Sequence, residues 1–181
     1  MQIEHFVSPK VFWITGLSGS GKTTLANILK PWLDHSNKSS ILIDGDEIRE
    51  MIFDNYGFDA KSRLNIAKFN SKLCKFLAKQ NQIVICCTIS LFKEIHIWNR
   101  LNIPGYIEIF LDAPISTLYE RDSKGLYRAY REKKIHNLVG LDIPAEFPKN
   151  PDIHIKVTDK MTVEKFENEV KESINKIFKN D

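Results

Sequence analysis

The chain has 181 residues, 43% hydrophobic and 27% charged, with 26 Lys and Arg against 23 Asp and Glu, a formal net charge of +3. A chain of this length buries about 70% of the surface its unfolded form exposes, so one globular domain can fold without disulfides or a structural metal. The apolar content excludes intrinsic disorder, ordinary Gly and Pro usage excludes collagen-like and low-complexity classes, and the small charge surplus does not by itself mark a nucleic-acid binder.

In chain order, Val11 to Thr15 is a short β-rich run ending in a glycine-rich turn, and Lys22 to Leu33 carries Leu25, Ile28, Leu29 and Trp32 at helical spacing. Ile41 to Ile43 predicts a second strand with Asp44-Gly45-Asp46 at its carboxyl end, followed by a helix from about Asp46 to Phe53. Ile66 to Ala78 reads as a helix with Phe69, Leu73, Phe76 and Leu77 on one face. Ile83 to Ile89 is nearly all apolar, as a strand covered by helices on both faces would be. Tyr106 to Leu111 repeats that pattern, Pro114 sits where a helix can begin, and Ile153 to Val157 is a fifth strand. The last helix spans about Val163 to Phe178, with Val163, Phe166, Val170, Ile174, Ile177 and Phe178 as its apolar stripe.

This alternation implies right-handed crossovers, a five-stranded parallel sheet and a three-layer α/β/α sandwich in one domain, 1–181. The exception is Arg121 to Pro151, which is charged, holds Pro144, Pro148 and Pro151, and shows no convincing strand. A long irregular segment in a compact domain is usually functional, so a lid is expected, with a disordered surface loop as the alternative.

Cys74, Cys86 and Cys87 cannot form an even disulfide framework and read as small core residues of a reducing compartment. The five histidines are scattered and none pairs with a cysteine at zinc-ligand spacing. No apolar run approaches the roughly 20 residues of a membrane span, and Met1 to His5 has no basic region followed by an apolar stretch, so a cytoplasmic protein is expected.

Gly16-Leu17-Ser18-Gly19-Ser20-Gly21-Lys22-Thr23 matches G-x-x-x-x-G-K-[ST] between a predicted strand and a predicted helix, the context the P-loop needs. In such a loop the backbone N–H groups converge on phosphate and the helix N-terminus adds positive potential. Lys22 would then reach the β- and γ-phosphates, and the Thr23 hydroxyl would join a Mg²⁺ shell. ATP or GTP binding with Mg²⁺ is therefore expected. No Asn-Lys-x-Asp guanine-reading box is present, which turns the reading from a switch GTPase to a kinase. Asp44 and Asp46 lie where ligands bind in open α/β sheets, and a carboxylate there can accept the proton of an attacking hydroxyl or hold Mg²⁺ through water. Asp46 also stands in good position to cap the following helix.

Phe12 to Ala26, Asp44-Gly45-Asp46-x-x-Arg49, Gly57-Phe58-x-x-x-x-Arg63, Arg121 to Tyr127 and Gly140-Leu141-Asp142 through Pro148 together resemble adenylyl-sulfate kinase. The resemblance runs in order through nearly the whole chain, and its Lys-Gly-Leu-Tyr block is more specific than the P-loop. It implies a P-loop kinase that passes the γ-phosphate of ATP to a ribose 3′-hydroxyl, and it favours a homodimer. It implies ATP contacts from Gly16, Ser18, Gly19, Ser20, Gly21, Lys22, Thr23, Thr24 and Arg121, and makes Asp44 the general base. Arg49 and Arg63 become anion clamps, while Asp46, Ser90 and Lys124 join the acceptor site. Residues 122–142, or to about 148 with the flank, become a lid over both nucleotides. Its Lys124, Arg128, Arg131, Lys133 and Lys134 suit two polyphosphate-like ligands.

The chain departs from that pattern at the acceptor. Family members hold adenine between two phenylalanines; Phe58 matches one, and the other falls on Leu138. An aromatic platform is worth roughly 1 to 3 kcal/mol per base, so losing one favours a smaller pyrimidine. The family's Ser-Pro-Tyr-Arg becomes Ser90-Leu91-Phe92-Lys93, exchanging a bidentate guanidinium for a point charge. Its Asn-Ile-Arg-Arg stretch becomes Asn65-Ile66-Ala67-Lys68, one residue early and without arginine. A branch of the family associated with bacterial capsule modification phosphorylates cytidine diphosphoramidate, which differs from adenylyl sulfate in both altered places. The expected acceptor is cytidine diphosphoramidate, with adenylyl sulfate as the alternative. A regulatory nucleotide-binding module would keep the P-loop without catalysis. A nucleic-acid end kinase would need a basic groove interleaved with aromatics, which the sequence lacks outside the lid.

Overall fold

The computed structural model describes residues 10–34, 39–52, 57–159 and 161–179. The elements run β1 (Val11–Gly16), α1 (Lys22–Asp34), β2 (Ser40–Asp44), α2 (Gly45–Ile52), α3 (Ala60–Lys79), β3 (Ile83–Cys87), α4 (Lys93–Asn102), β4 (Tyr106–Asp112), α5 (Ile115–Arg121), α6 (Leu126–Arg131), β5 (Ile153–Lys156) and α7 (Val163–Lys179). The five strands form one parallel sheet in the order β2-β3-β1-β4-β5.

Side-chain alternation along the strands makes the three layers. From β1, Phe12 and Ile14 enter one core with Leu25 and Leu29 of α1 and Phe166, Val170 and Ile174 of α7. Val11 and Trp13 enter a second core on the opposite face with Ala67, Cys74 and Ala78 of α3 and Ile95 of α4. Each fully buried aliphatic or aromatic side chain contributes about 1.5–3 kcal/mol, so a sheet covered on both faces supplies the main driving force.

Several elements differ from the sequence reading. Helix α4 was not anticipated, because its polar residues mask a short stripe of which Ile95, His96 and Asn99 are buried. Helix α3 begins at Ala60 rather than Ile66, because Asp59 caps it: its carboxylate accepts Ser62 N at 3.0 Å and Ser62 Oγ at 2.6 Å. The expected stripe of α3 is met in part: Leu73 and Leu77 pack, half-buried, against the second core, but the fully buried face is built mainly of small residues. Ala67, Ser71, Cys74 and Ala78 are buried at spacings of four, three and four, which brings the helix close to the strands, while Phe76 is 62% exposed. Val163 of α7 is exposed as well, the buried stripe being Phe166, Val170 and Ile174; the Phe178 side chain and Phe53 lie outside the described part.

Strand β3 stops at Cys87 and not at Ile89, so Thr88 to Phe92 become a turn rather than two more rungs. Within the segment expected to be irregular, α6 forms a short helix, with the Asp122 carboxylate accepting Tyr127 N and Arg128 N at 3.0 and 2.9 Å. The only strand-like feature there is a Val139–Ile143 bridge.

Candidate active site

A cavity of about 830 Å³ lies at the carboxyl ends of β1, β2 and β3, where an open α/β sheet places its ligands. Its floor is the loop from β1 into α1. Gly16, with φ 154°, must lack a side chain, since a Cβ there would fall 2.6 Å from Leu111 O and 2.7 Å from Ser20 Oγ. Ser18, Gly19, Gly21, Lys22, Thr23 and Thr24 line the cavity, whereas Gly16 and Ser20 sit beneath it as supports. Lys22 Nζ donates to Leu17 O at 2.8 Å, and burial, offset in part by the Asp46 carboxylate, lowers its ammonium to about 8.

The acidic edge comes from β2. Helix α2 starts directly after the strand, so Asp44 is the capping residue and not Asp46: Asp44 Oδ1 accepts Asp46 N at 2.8 Å. Asp44 Oδ2 accepts the Thr23 hydroxyl at 3.3 Å and the Cys87 thiol at 3.3 Å. Cys87 stands beside Asp44 in the β2–β3 register, and its thiol is pushed up to about 12 by burial and by that carboxylate. Among the cysteines, then, Cys74 and Cys86 are core residues, while Cys87, also buried, lines the cavity. Asp46 is ion-paired with Lys124 at 2.5 Å, and the Lys124 ammonium outweighs burial to hold the carboxyl below its ordinary range.

The acceptor side gathers Arg49, Phe58, Arg63, Ser90, Lys124 and Leu138 around the same cavity, with Arg121 at its rim. Phe58 is 55% exposed, with the Arg49 and Arg63 guanidinium carbons 4.6 and 5.5 Å from its ring centroid. Both arginines also hold backbone: Arg49 Nη1 donates to Gly57 O at 2.8 Å, and Arg63 bonds Phe58 O at 2.7 Å and Asn137 O at 2.9 Å. Ser90, with φ 27°, shares a 2.9 Å hydrogen bond with the Thr88 hydroxyl, and Thr15 Oγ1 donates to Ile89 O, fixing the turn. Leu138 is 4% exposed; its N–H and that of Asn137 are both held by the Asp142 carboxylate, at 2.5 and 2.7 Å. Arg121 Nη2 donates to Thr158 O at 2.8 Å.

Two contacts were not legible in the sequence. The Tyr127 hydroxyl donates to Ser18 O at 2.8 Å and so ties α6 to the phosphate loop, giving the Lys-Gly-Leu-Tyr block a structural purpose. The Cys87 thiol reaches Asp44 only through the strand pairing, and nothing in the chain order of residues 44 and 87 announces it.

The family model described as adenylylsulphate kinase matches residues 8–156. A cytidine diphosphoramidate kinase of Campylobacter jejuni is 42% identical over 142 residues, 78% of this chain and 83% of that protein. An adenylyl-sulfate kinase of Pseudomonas aeruginosa is 39% identical over 149 residues, 81% of this chain and 76% of that one. The structure of the Mycobacterium tuberculosis APS kinase in complex with AMPPNP and APS aligns with a TM-score of 0.82 at 29% identity, over 93% of this chain and 98% of that chain. The matched span opens just before β1 and closes on the last residue of β5, so the whole sheet and the cavity at its edge fall inside it: the chain belongs to the adenylylsulphate kinase family and is an ATP-dependent nucleotide kinase.

Proposed function

We propose that this enzyme transfers the γ-phosphate of ATP to the ribose 3′-hydroxyl of cytidine diphosphoramidate, a step in the phosphoramidate modification of capsular polysaccharide. The observation that carries the choice of acceptor is Leu138, an aliphatic residue whose backbone N–H is held by the Asp142 carboxylate and which lines the same cavity as Phe58. One aromatic face and one aliphatic face suit a pyrimidine better than a purine. The 42% identity to a protein named for that acceptor supports the same choice. Adenylyl sulfate is the second reading, favoured by the exposed Phe58 ring and by relatives named for it at similar identity.

ATP rests its phosphates on Ser18 to Thr24, and the Lys22 ammonium leaves Leu17 O to meet them. The acceptor's base packs on Phe58 beside Leu138, its anionic part lies toward Arg49, Arg63 and Lys124, and Ser90 contacts it from the β3–α4 turn. Asp44 takes the proton of the attacking hydroxyl; Asp46, ion-paired with Lys124, is the poorer base. Mg²⁺ fits this edge, because the Thr23 hydroxyl is a hard oxygen donor and the Asp44 carboxylate, 3.3 Å from it, could hold the ion through water. When bound with ATP it neutralises charge on the transferring phosphoryl group. Residues 122–148 close over both nucleotides, Arg121 at their base touching ATP. Among the described residues no helix is long and apolar enough to cross a membrane. A cytoplasmic homodimer completes the proposal, and sedimentation equilibrium tests the dimer.

The test is product identification. After incubation with ATP, Mg²⁺ and cytidine diphosphoramidate, phosphorus NMR should show a new phosphomonoester coupled to the ribose H3′. Its absence, with adenylyl sulfate converted in the same buffer, would replace the first reading with the second.

A further inference from the structure

Outside the nucleotide cavity a buried cluster of ionisable groups lies at the junction of α4, β4 and the end of the 122–148 segment. His96 of α4 is 9% exposed and Glu108 of β4 is 3% exposed. His96 Nδ1 lies 2.8 Å from Glu108 Oε1, and His96 Nε2 lies 3.0 Å from the backbone carbonyl of Glu146. The carboxylate is held in turn by the Tyr106 hydroxyl at 3.0 Å and by Arg100 Nη2 at 3.4 Å. Arg100 Nη1 forks onto Asp152 at 2.8 and 2.7 Å, and Asp152 accepts Glu108 N at 2.7 Å.

A carbonyl oxygen only accepts, so His96 Nε2 must carry a proton. A neutral imidazole would then offer a lone pair from Nδ1 to the Glu108 carboxylate, acceptor against acceptor at 2.8 Å. A second proton must lie between them, and the Tyr106 hydroxyl and Arg100 guanidinium, both directed at Glu108, favour the ionised carboxylate. The ring is therefore an imidazolium with a donor at each end.

What the far end holds gives the cluster its purpose. Glu146 is fixed at three points to the chain around the acceptor wall: its N–H donates to Leu91 O at 3.0 Å, its carboxylate accepts Lys93 N at 2.8 Å, and its carbonyl takes His96. Ser90, Leu91 and Phe92 line the cavity immediately before α4. We propose that His96 is a positioning residue for the acceptor, its imidazolium bracing the end of the 122–148 segment and the Ser90 to Phe92 turn against β4. It touches no substrate and acts through the shape of that wall; the inference rests on the proposed function only in taking this wall to be the acceptor's.

The test combines a spectroscopic reading with kinetics. In the wild-type enzyme, ¹⁵N correlation spectra should show both ring nitrogens of His96 protonated at neutral pH; an unprotonated Nδ1 would overturn the inference. His96→Leu should raise the acceptor KM about tenfold, the scale of one charged hydrogen bond, with kcat and the ATP KM within about twofold. An unchanged acceptor KM in a folded His96→Leu enzyme, or equal losses in both substrates, would overturn it too. If His96→Leu fails to fold, Glu146→Ala, a change at an exposed residue, should raise the same constant about threefold; no rise contradicts the brace. The kinetics use whichever of cytidine diphosphoramidate and adenylyl sulfate is the better substrate. The ring nitrogens are read without either, so a wrong acceptor and a wrong role for His96 give separate results.

Discussion

Lys124 Nζ lies 2.5 Å from Asp46 Oδ2, joining the 122–148 segment to the first turn of α2 across the mouth of the cavity. Both side chains are more than half exposed, at 55% and 68%, and an exposed pair of this kind contributes about 0–1 kcal/mol. Such a contact opens readily when an anionic ligand competes for the ammonium. Lys124→Ala should therefore leave the melting temperature within about 2 °C of wild type and raise the acceptor KM roughly tenfold. Thermal melts and steady-state kinetics check both halves; a large loss of stability with unchanged KM would make the pair structural.

Asp44 serves as helix cap, thiol partner and proposed base, and one substitution separates these roles. Asparagine caps a helix about as well as aspartate, so Asp44→Asn should fold and bind ATP normally. Without a carboxylate to accept the hydroxyl proton, kcat should fall about 10²- to 10⁴-fold. Lys22→Ala should also lower kcat strongly, and with it ATP affinity. Retention of full activity by Asp44→Asn would point to Asp46 as the base.

Leu138→Phe would restore an aromatic face to the cavity wall. Its effect should fall on the choice of acceptor, moving the ratio of kcat/KM values toward adenylyl sulfate by about ten- to a hundredfold, as one base-stacking contact implies. The position is 4% exposed, so a melting curve must accompany the kinetics to exclude overpacking. An unchanged ratio in a folded variant removes the stacking argument.

A pH effect on stability is expected away from the site. The Asp34 carboxylate accepts Ser40 N and Ser40 Oγ, each at 2.7 Å, and pairs with Lys30; the Ser40 bonds chiefly lower it from 3.8 to about 2. A carboxyl lowered by folding stabilises fully above its unfolded value and loses that contribution as pH falls toward its folded one. The difference in urea midpoint between wild type and Asp34→Asn should be constant from pH 5 to 7 and shrink between about pH 4 and 2. A difference independent of pH would assign the effect to packing.

The sheet was legible because its strands are apolar runs bounded by turns, and the phosphate loop because its spacing is fixed by backbone geometry. Helix α4 is hidden, since two of the residues it buries, His96 and Asn99, are polar and meet β4 through contacts to Glu108 and Tyr106. The buried face of α3 is hard to read from sequence for a related reason: bulk marks a buried face poorly where small residues such as Ala67 and Cys74 let a helix approach closely. At the site, Asp44, Lys22 and Thr23 follow from position along the chain. The long-range contacts that tie the site together do not, because Cys87 reaches Asp44 through the sheet, Tyr127 reaches Ser18 through α6, and Arg63 spans 74 positions to Asn137.

Competition between the two acceptors in one tube decides which nucleotide the enzyme phosphorylates. With ATP and Mg²⁺ in excess and equal low concentrations of cytidine diphosphoramidate and adenylyl sulfate, the ratio of initial rates equals the ratio of kcat/KM. The 3′-phosphorylated cytidine product should dominate by at least about tenfold, the lower end of one base-stacking contact; dominance of 3′-phosphoadenylyl sulfate would make adenylyl sulfate the acceptor.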